Sequence, residues 1–297
     1  MFKSGFVTII GKANVGKSTL LNALVGERVA IVSYRPQTTR DKIIGIMNGE
    51  DYQVVFVDTP GMHKAKNQLS NYMMKNVKSA LEGVNAVVYV INGEKKLDDY
   101  DMSIINQYAS SNLPFIVAIN KMDVADREKV VDMINSLKDI KGIDTIVPIS
   151  AMKNKNLEPL KDAIVKNLPV GEQYYPEDMI TDRSLRFMVS EIIREKAMRF
   201  LGDEVPYGIA VAINSFKERD DGVVEIDADI VCEKKAHKPI IIGKGGSMLK
   251  KIGTKSRLDI ENLIDSKCFL TLYVKVKEEW RDSDFIMNEL GYNIKDI

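Results

Sequence analysis

The chain is poor in the residues that staple or metallate a protein. Of its 297 residues, two are cysteine and two are histidine. Cys232 and Cys268 are far apart, and there is no CxxC pair or Cys/His cluster, so no zinc site is expected. Both cysteines fall in apolar, strand-like runs, which predicts buried, reduced thiols. No apolar run approaches the roughly 20 residues that a membrane-spanning helix needs. The start, Met1-Phe2-Lys3-Ser4-Gly5, carries no signal-peptide pattern, and the reading is of a soluble, cytoplasmic chain. Neither sign of charge prevails: 42 basic and 42 acidic residues cancel, so only the local distribution of charge can select a partner. Internal repeats and low-complexity tracts are also lacking.

What is present is ordinary globular material, 45% hydrophobic and 28% charged, long enough for two domains. From Phe6 to Leu168, short apolar strands alternate with helical stretches. Phe6–Ile10, Gln53–Val57, Ala86–Ile91, Pro114–Ile119 and Thr145–Ile149 read as buried strands. Lys17–Leu24, Gln68–Leu81, Tyr100–Ala109, Asp126–Leu137 and Leu157–Asn167 read as the helices between them. That alternation predicts an α/β fold with a mixed, mostly parallel sheet and helices on both faces. Ile43–Met47 would be a hairpin partner for the strand at Gln53, giving one antiparallel edge.

Four elements at the ends of these strands point to one nucleotide site. Gly11-Lys12-Ala13-Asn14-Val15-Gly16-Lys17-Ser18 satisfies G-x-x-x-x-G-K-[ST] between a strand and a helix, with Thr19 following. Glycines let the backbone wrap so that N–H groups face phosphate oxygens, and the helix start adds its dipole. Lys17 would charge-pair with the β- and γ-phosphates, and the Ser18 hydroxyl would ligate Mg²⁺. Asp58-Thr59-Pro60-Gly61 ends the next apolar strand: Asp58 would hold Mg²⁺ from its other side, and the Gly61 N–H would meet the γ-phosphate. Asn120-Lys121-Met122-Asp123 ends a third strand. A carboxylate only accepts, and guanine offers two adjacent N–H donors where adenine offers one acceptor, so Asp123 would select guanine. Ser150-Ala151-Met152 follows the last strand, where a backbone N–H would donate to guanine O6.

In order, strand context and spacing these elements resemble the GTPase superfamily. Asn14-Val15-Gly16-Lys17-Ser18-Thr19-Leu20-Leu21-Asn22 and Pro36-Gln37-Thr38-Thr39-Arg40 are similar to the bacterial Era-type GTPases, which assist ribosome assembly. The resemblance implies a P-loop GTPase that turns over GTP to GDP with Mg²⁺. It makes Ala30–Lys42 the first switch, with Gln37, Thr38, Thr39, Arg40 and Asp41 at its centre, and the second switch Asp58 to about Leu69. One of the paired threonines would complete the Mg²⁺ shell. Thr39 is favoured, although one sequence does not separate it from Thr38. Lys17, Thr39, Gly61 and Asn14 are the residues expected at the reacting phosphate. Met62 stands where Ras-like enzymes carry a water-orienting glutamine. Methionine cannot polarise water, and the resemblance offers K⁺ ligated by Asn14 as a substitute charge. His63 reads as an exposed switch residue.

Leu168 to Asp178, with two prolines and a glycine, reads as a linker, dividing the chain into a GTPase domain (1–170), a connection (171–181) and a second domain (182–297). The second pattern is a helix (Asp182–Phe200), strands Gly208–Phe216 and Val223–Cys232, two helices split at glycines, a strand (Cys268–Val276) and a short helix (Ser283–Leu290). Gly243-Lys244-Gly245-Gly246 is a GxxG loop between helices, the signature of a KH domain that clamps RNA backbone. From Lys234 to Arg257 the charged residues are Lys234, Lys235, Lys238, Lys244, Lys250, Lys251, Lys255 and Arg257, with no Asp or Glu among them. Ile240 and Ile241 would line the groove or fill the core, with the core favoured for Ile241. Trp280 would anchor the last helix rather than stack on a base. The order α-β-β-α-α-β resembles the type II KH arrangement of the same family. That likeness implies a 3′ small-subunit rRNA partner on the assembling small ribosomal subunit, a monomer, and a peripheral presence at the inner face of the cell membrane.

Overall fold

In a computed structural model, which describes residues 1–35, 38–62 and 67–293, the chain divides into two compact units. The first comprises Met1–Ala30, Thr39–His63 and Met74–Asp182; the second comprises Ile31–Thr38, Lys64–Met73 and Arg183–Ile297.

In the first unit, β1 (Lys3–Ile10) is flanked by β3 (Tyr52–Asp58) and β4 (Ala86–Asn92), both parallel to it. β2 (Ile43–Asn48) closes one edge antiparallel to β3; β5 (Phe115–Asn120) and β6 (Thr145–Pro148) extend the other edge in parallel. The order β2-β3-β1-β4-β5-β6 makes a sheet with a single antiparallel edge, as expected. Near-continuous burial of β4 and β5 follows from helices covering both faces. One face packs α1 (Lys17–Val25) and α5 (Leu157–Lys166) through Leu20, Leu21, Leu160 and Ile164. The other packs α3 (Asp99–Ala109) and α4 (Arg127–Leu137) through Ile104, Ile105, Val130 and Leu137. Because all the parallel strands point the same way, the loops after β1, β3, β5 and β6 gather at one end of the sheet. The four motifs sit on those loops.

The stretch read as a linker is instead a strap stitched onto this unit. Buried Gln53 accepts from the Tyr174 and Tyr175 N–H groups at 2.8 and 3.0 Å and donates to Tyr175 O at 2.8 Å. Ile46 N–H donates to Ile180 O, and the Thr181 hydroxyl to Ile44 O. Proline and glycine signal irregular backbone, but they do not say whether a buried amide elsewhere will hold it.

In the second unit, β7 (Ile209–Glu218), β8 (Val224–Cys232) and β9 (Cys268–Val276) form a sheet with β8 central, antiparallel to β7 and parallel to β9. α6 (Leu185–Phe200) and α8 (Ser247–Ile264) cover one face, with α7 (His237–Ile242) leading into α8. Cys232 and Cys268 are buried at opposite ends of the β8–β9 register and are free thiols raised by burial, Cys268 to about 11. Trp280 is fully buried; its indole N–H donates to Gly208 O at 2.9 Å and its ring stacks on Tyr292. With Leu69, Tyr72 and Met287 it forms the cluster that holds α9 (Asp284–Glu289), the anchoring role read from the sequence. Within this unit, α6 and the residue after it also hold Thr38 and Arg35: the Arg194 guanidinium pairs with Glu191 and donates to the Thr38 carbonyl, while Arg35 donates to Leu201 O at 2.5 Å. No described helix is long and apolar enough to cross a membrane.

Candidate functional site

Burial dominates the phosphate loop. Lys17 opens α1 and is only 6% exposed; its ammonium donates to the Gly11 and Lys12 carbonyls, each at 3.1 Å. Burial lowers its pKa to about 8, against the opposing pull of the Asp58 charge. Gly16 sits at φ 98°, and a Cβ there would lie 2.3 Å from the Asn120 amide nitrogen, so this position admits only glycine. Val15 is buried and Asn14 is exposed at φ 64°. The second-switch glycine, Gly61, lies against Ala13, and Met62 N–H donates to Gly11 O at 3.4 Å. Buried Thr59 fixes the turn by donating to Ile9 O at 3.0 Å, beside buried Pro60.

Three oxygens converge beside Lys17. Ser18 Oγ lies 2.7 Å from Asp58 Oδ2 and 2.8 Å from Thr39 Oγ1, and Thr39 Oγ1 lies 3.4 Å from the same carboxylate oxygen. Asp58 is fully buried, and among the described residues its Oδ1 has no hydrogen-bond partner. Burial raises the Asp58 pKa, countered by Lys17 and Ser18. A buried carboxylate with an orphaned oxygen, next to two hydroxyls, is a donor set of the hard-oxygen type that suits Mg²⁺. Thr38 is not part of it: its hydroxyl donates to Arg35 O at 2.7 Å. Arg40 and Asp41 are buried, while Gln37 and His63 lie outside the described residues.

At the base end, buried Asn120 links two loops. It donates to Val15 O at 2.9 Å and accepts from the Ala151 N–H at 3.0 Å. Asp123 is exposed; Ser150 donates to it at 2.6 Å, and this hydrogen bond holds its carboxyl below the usual range. The ionised, acceptor-only form is therefore the stable one. Lys121 takes a left-handed conformation (φ 69°) and pairs with Glu94 at 3.1 Å. Met152 stays 55% exposed beside Ala151.

In the second unit, Gly243 ends α7 and the loop runs directly into α8. Gly245 and Gly246 have positive φ and nothing within 4 Å of where a Cβ would stand, so the turn is bare backbone. Lys235, Lys238, Lys244, Lys250 and Lys251 are exposed around it, Lys235 pairing with Glu278 at 3.3 Å and Lys251 lying over the Phe200 ring. Ile240 is 49% exposed. Ile241 is fully buried in the core, so it is withdrawn as a groove residue: α7 turns successive side chains about 100° apart, and its neighbour takes the surface.

Sequence reasoning missed one group altogether. The Lys12 ammonium reaches Asp98 at 2.6 Å and Asp101 at 2.8 Å, and Tyr89 donates to Asp101 at 2.7 Å. Lys12 had been placed among the phosphate-binding residues; its main chain faces that site, but its side chain is committed to α3. The acidic start of α3 was visible in sequence, yet nothing local tied it to Lys12.

A buried lysine on a glycine loop, a hydroxyl–carboxylate cluster and an acceptor-only base pocket, joined to a GxxG fold, define a P-loop GTPase carrying a KH domain. Residues 6–121 match the family described as 50S ribosome-binding GTPase, and residues 204–281 match the KH domain family. GTPase Era of Clostridium botulinum (strain Hall) is 51% identical over 98% of this chain and 99% of its own length; that of Clostridium kluyveri is 50% identical over 98% and 100%. A variant of Aquifex aeolicus Era bound to GDP·AlF4⁻ superposes with a TM-score of 0.94 at 39% identity, covering 98% of this chain and 100% of that one. An Era structure with MgGDPNP and nucleotides 1506–1542 of 16S ribosomal RNA also gives 0.94 at 39% identity, covering 99% and 100%. The chain belongs to the Era family of GTPases.

Proposed function

We propose that this chain is a GTP-driven switch whose KH domain binds the 3′ end of small-subunit ribosomal RNA during assembly of that subunit. The reading is carried by the pairing, in one chain, of the Asn120–Asp123–Ser150 guanine pocket with a bare GxxG turn ringed by exposed lysines. The 16S-bound Era structure supports the choice of RNA. The working division is a GTPase domain (1–170), a connecting strap (171–181) and a KH domain (182–297).

Each residue then has a task. Backbone N–H groups of Gly11–Thr19 cradle the phosphates, and Lys17 supplies a charge to the β- and γ-phosphates. Gly61 presents its N–H to the γ-phosphate. Ser18, Thr39 and Asp58 would hold Mg²⁺, which, when bound, neutralises charge building on the phosphate oxygens. Asp123 accepts both guanine N–H donors, and a backbone N–H of the Ser150-Ala151-Met152 turn donates to O6. Met62 supplies no glutamine amide, and Asn14 would hold K⁺, whose charge would substitute for it beside the phosphates. Lys235, Lys238, Ile240, Lys244, Lys250 and Lys251 line the RNA path, with the backbone of Gly243–Gly246 at its centre. The proposal includes a cytoplasmic, monomeric protein with a peripheral fraction at the inner face of the cell membrane.

Met62 favours a second reading, an RNA-binding scaffold in which GTP is a slowly turned-over structural ligand. GTP turnover measured with K⁺, with Na⁺ and with added RNA separates the two; turnover at background in every condition selects the scaffold. Crosslinking in cells identifies the RNA, and recovery of RNAs other than small-subunit rRNA refutes the partner assignment.

A further inference from the structure

The Lys12–Asp101–Tyr89 chain does no work in the scheme above, although it is among the better-built polar groups of the first unit. Asp101 is 6% exposed and Tyr89 fully buried. The Tyr89 hydroxyl donates to Asp101 Oδ1 at 2.7 Å, and Lys12 Nζ donates to Asp101 Oδ2 at 2.8 Å and to Asp98 Oδ1 at 2.6 Å. Asp98 and Asp101 also satisfy each other's backbone N–H groups as the capping box of α3, so neither carboxylate can drift. The Lys12 ammonium lies 5.5 Å from the centre of the Tyr100 ring. Pairing with Asp101 and Asp98 outweighs the cost of partial burial and raises the Lys12 pKa.

Lys12 is also a junction of the main chain. Its carbonyl is one of the two acceptors of the Lys17 ammonium, and it forms a parallel bridge with Met62, whose N–H donates to Gly11 O. One residue thus meets three structures: the start of α3 by its side chain, the phosphate lysine by its carbonyl, and the start of the second switch by its strand-like bridge.

We propose that Asp101, buttressed by Tyr89, is a positioning residue for GTP hydrolysis, acting through Lys12 to set where Lys17 and the Gly61–Met62 backbone stand at the γ-phosphate. This rests on the GTPase reading above and deepens it. Because Met62 offers no side chain to orient water, backbone placement carries more of the task, and displacements near 1 Å at a reacting centre cost up to about 100-fold in rate. The diphosphate contacts of the rest of the loop do not pass through Lys12's side chain. The expected signature is therefore a loss in kcat without a matching loss in GDP affinity.

The test uses the full-length protein. An asparagine at 101 can accept from Tyr89 or from Lys12, not both with charge, and turns an amide NH₂ towards one of them. Asp101→Asn and Lys12→Met should each lower kcat for GTP about tenfold or more, with GDP affinity within about threefold of the parent. The double variant should lose no more than the worse single one, because both break one link. Lys12→Arg, which keeps the charge pair, should recover most of kcat, and Tyr89→Phe should fall between. The proposal is overturned if the single variants keep kcat within twofold, if GDP affinity falls as far as kcat, or if the two losses add. Should a variant at 101 fail to fold, Lys12→Met against Lys12→Arg decides alone. If the parent itself binds no guanine nucleotide, the GTPase reading fails instead.

Discussion

Replacing Asn120 by alanine should weaken guanine nucleotide binding by about 30- to 1,000-fold while leaving the sheet intact. Within the guanine pocket Asn120 braces the two loops that hold the nucleotide. Its amide donates to Val15 O at 2.9 Å and its carbonyl accepts from the Ala151 N–H at 3.0 Å, both buried. Alanine leaves that carbonyl and that N–H without partners. A buried polar group stripped of its hydrogen bond costs about 1–3 kcal/mol, so the pair costs about 2–6 kcal/mol, of which about 2–4 kcal/mol falls on binding. In the nucleotide-free protein part of this is relieved, because water can reach loops that have separated. Bound nucleotide must draw the loops back, so the cost appears in binding, at about 1.4 kcal/mol per factor of ten. Titration with a fluorescent GDP analogue reads the affinity, and thermal melting with and without nucleotide reads the stability. An affinity change under about threefold, with an unchanged nucleotide-dependent rise in melting temperature, refutes the bracing argument.

Asp123→Asn should lower guanine nucleotide affinity by at least about 100-fold and raise preference for xanthine nucleotides, since an amide can donate to the xanthine 2-oxo group; competition binding reads this, and retained guanine preference contradicts it. Lys17 has a pKa of about 8 in the free protein; anionic phosphates raise it again, so GTP binding should take up a proton at about pH 9 and affinity should fall as pH rises through 8. Calorimetry in buffers of different ionisation enthalpy detects the uptake, and heats that are independent of the buffer at that pH contradict the depressed pKa. Gly245→Asp places a carboxylate in the bare turn, where φ is +59° and nothing lies within 4 Å, so the fold should lose only about 1 kcal/mol. RNA affinity should fall at least about tenfold with nucleotide affinity unchanged, as gel-shift and nucleotide titrations would show; undiminished RNA affinity moves the clamp elsewhere.

The strands and helices were legible because each carries its own periodicity. The short, Val-rich apolar run Ala86–Ile91 suits a strand buried on both faces, and Cys268–Val276 matches its expected bounds. The phosphate loop and the base pocket were legible because their chemistry demands fixed residues at fixed spacing. What stayed hidden depends on partners far along the chain. Gln53 reads as the first residue of a buried strand, and only the strap 121 residues away explains why its polar side chain is fully buried. Lys12 reads as part of the phosphate loop, and only the fold brings the two carboxylates at the start of α3 to its side chain. Nothing in the sequence shows that Arg194, Glu195 and Lys196, three successive charges on one helix, are all buried in the second unit. Adjacent Thr38 and Thr39 are equivalent in sequence and opposite in structure, the first bonded to Arg35 O and the second to Ser18.

The two phosphate-facing loops use one device and are made selective in opposite ways. Both open a helix through a glycine with left-handed backbone, Gly16 before α1 and Gly246 before α8, and neither helix start carries a side-chain cap. At α1 the device is enclosed: Lys17 and Asp58 are buried, and each stands away from its usual pKa. Fixed, poorly solvated charges reward one ligand geometry and punish others, which suits a site that must tell a triphosphate from a diphosphate. At α8 the device is open: a Cβ at Gly245 or Gly246 would meet nothing within 4 Å, and its lysines are solvated. Solvated charge grips any phosphate backbone and is weakened by salt, so sequence preference at this loop has to come from the groove beside it, where Ile240 rather than Ile241 presents the apolar surface.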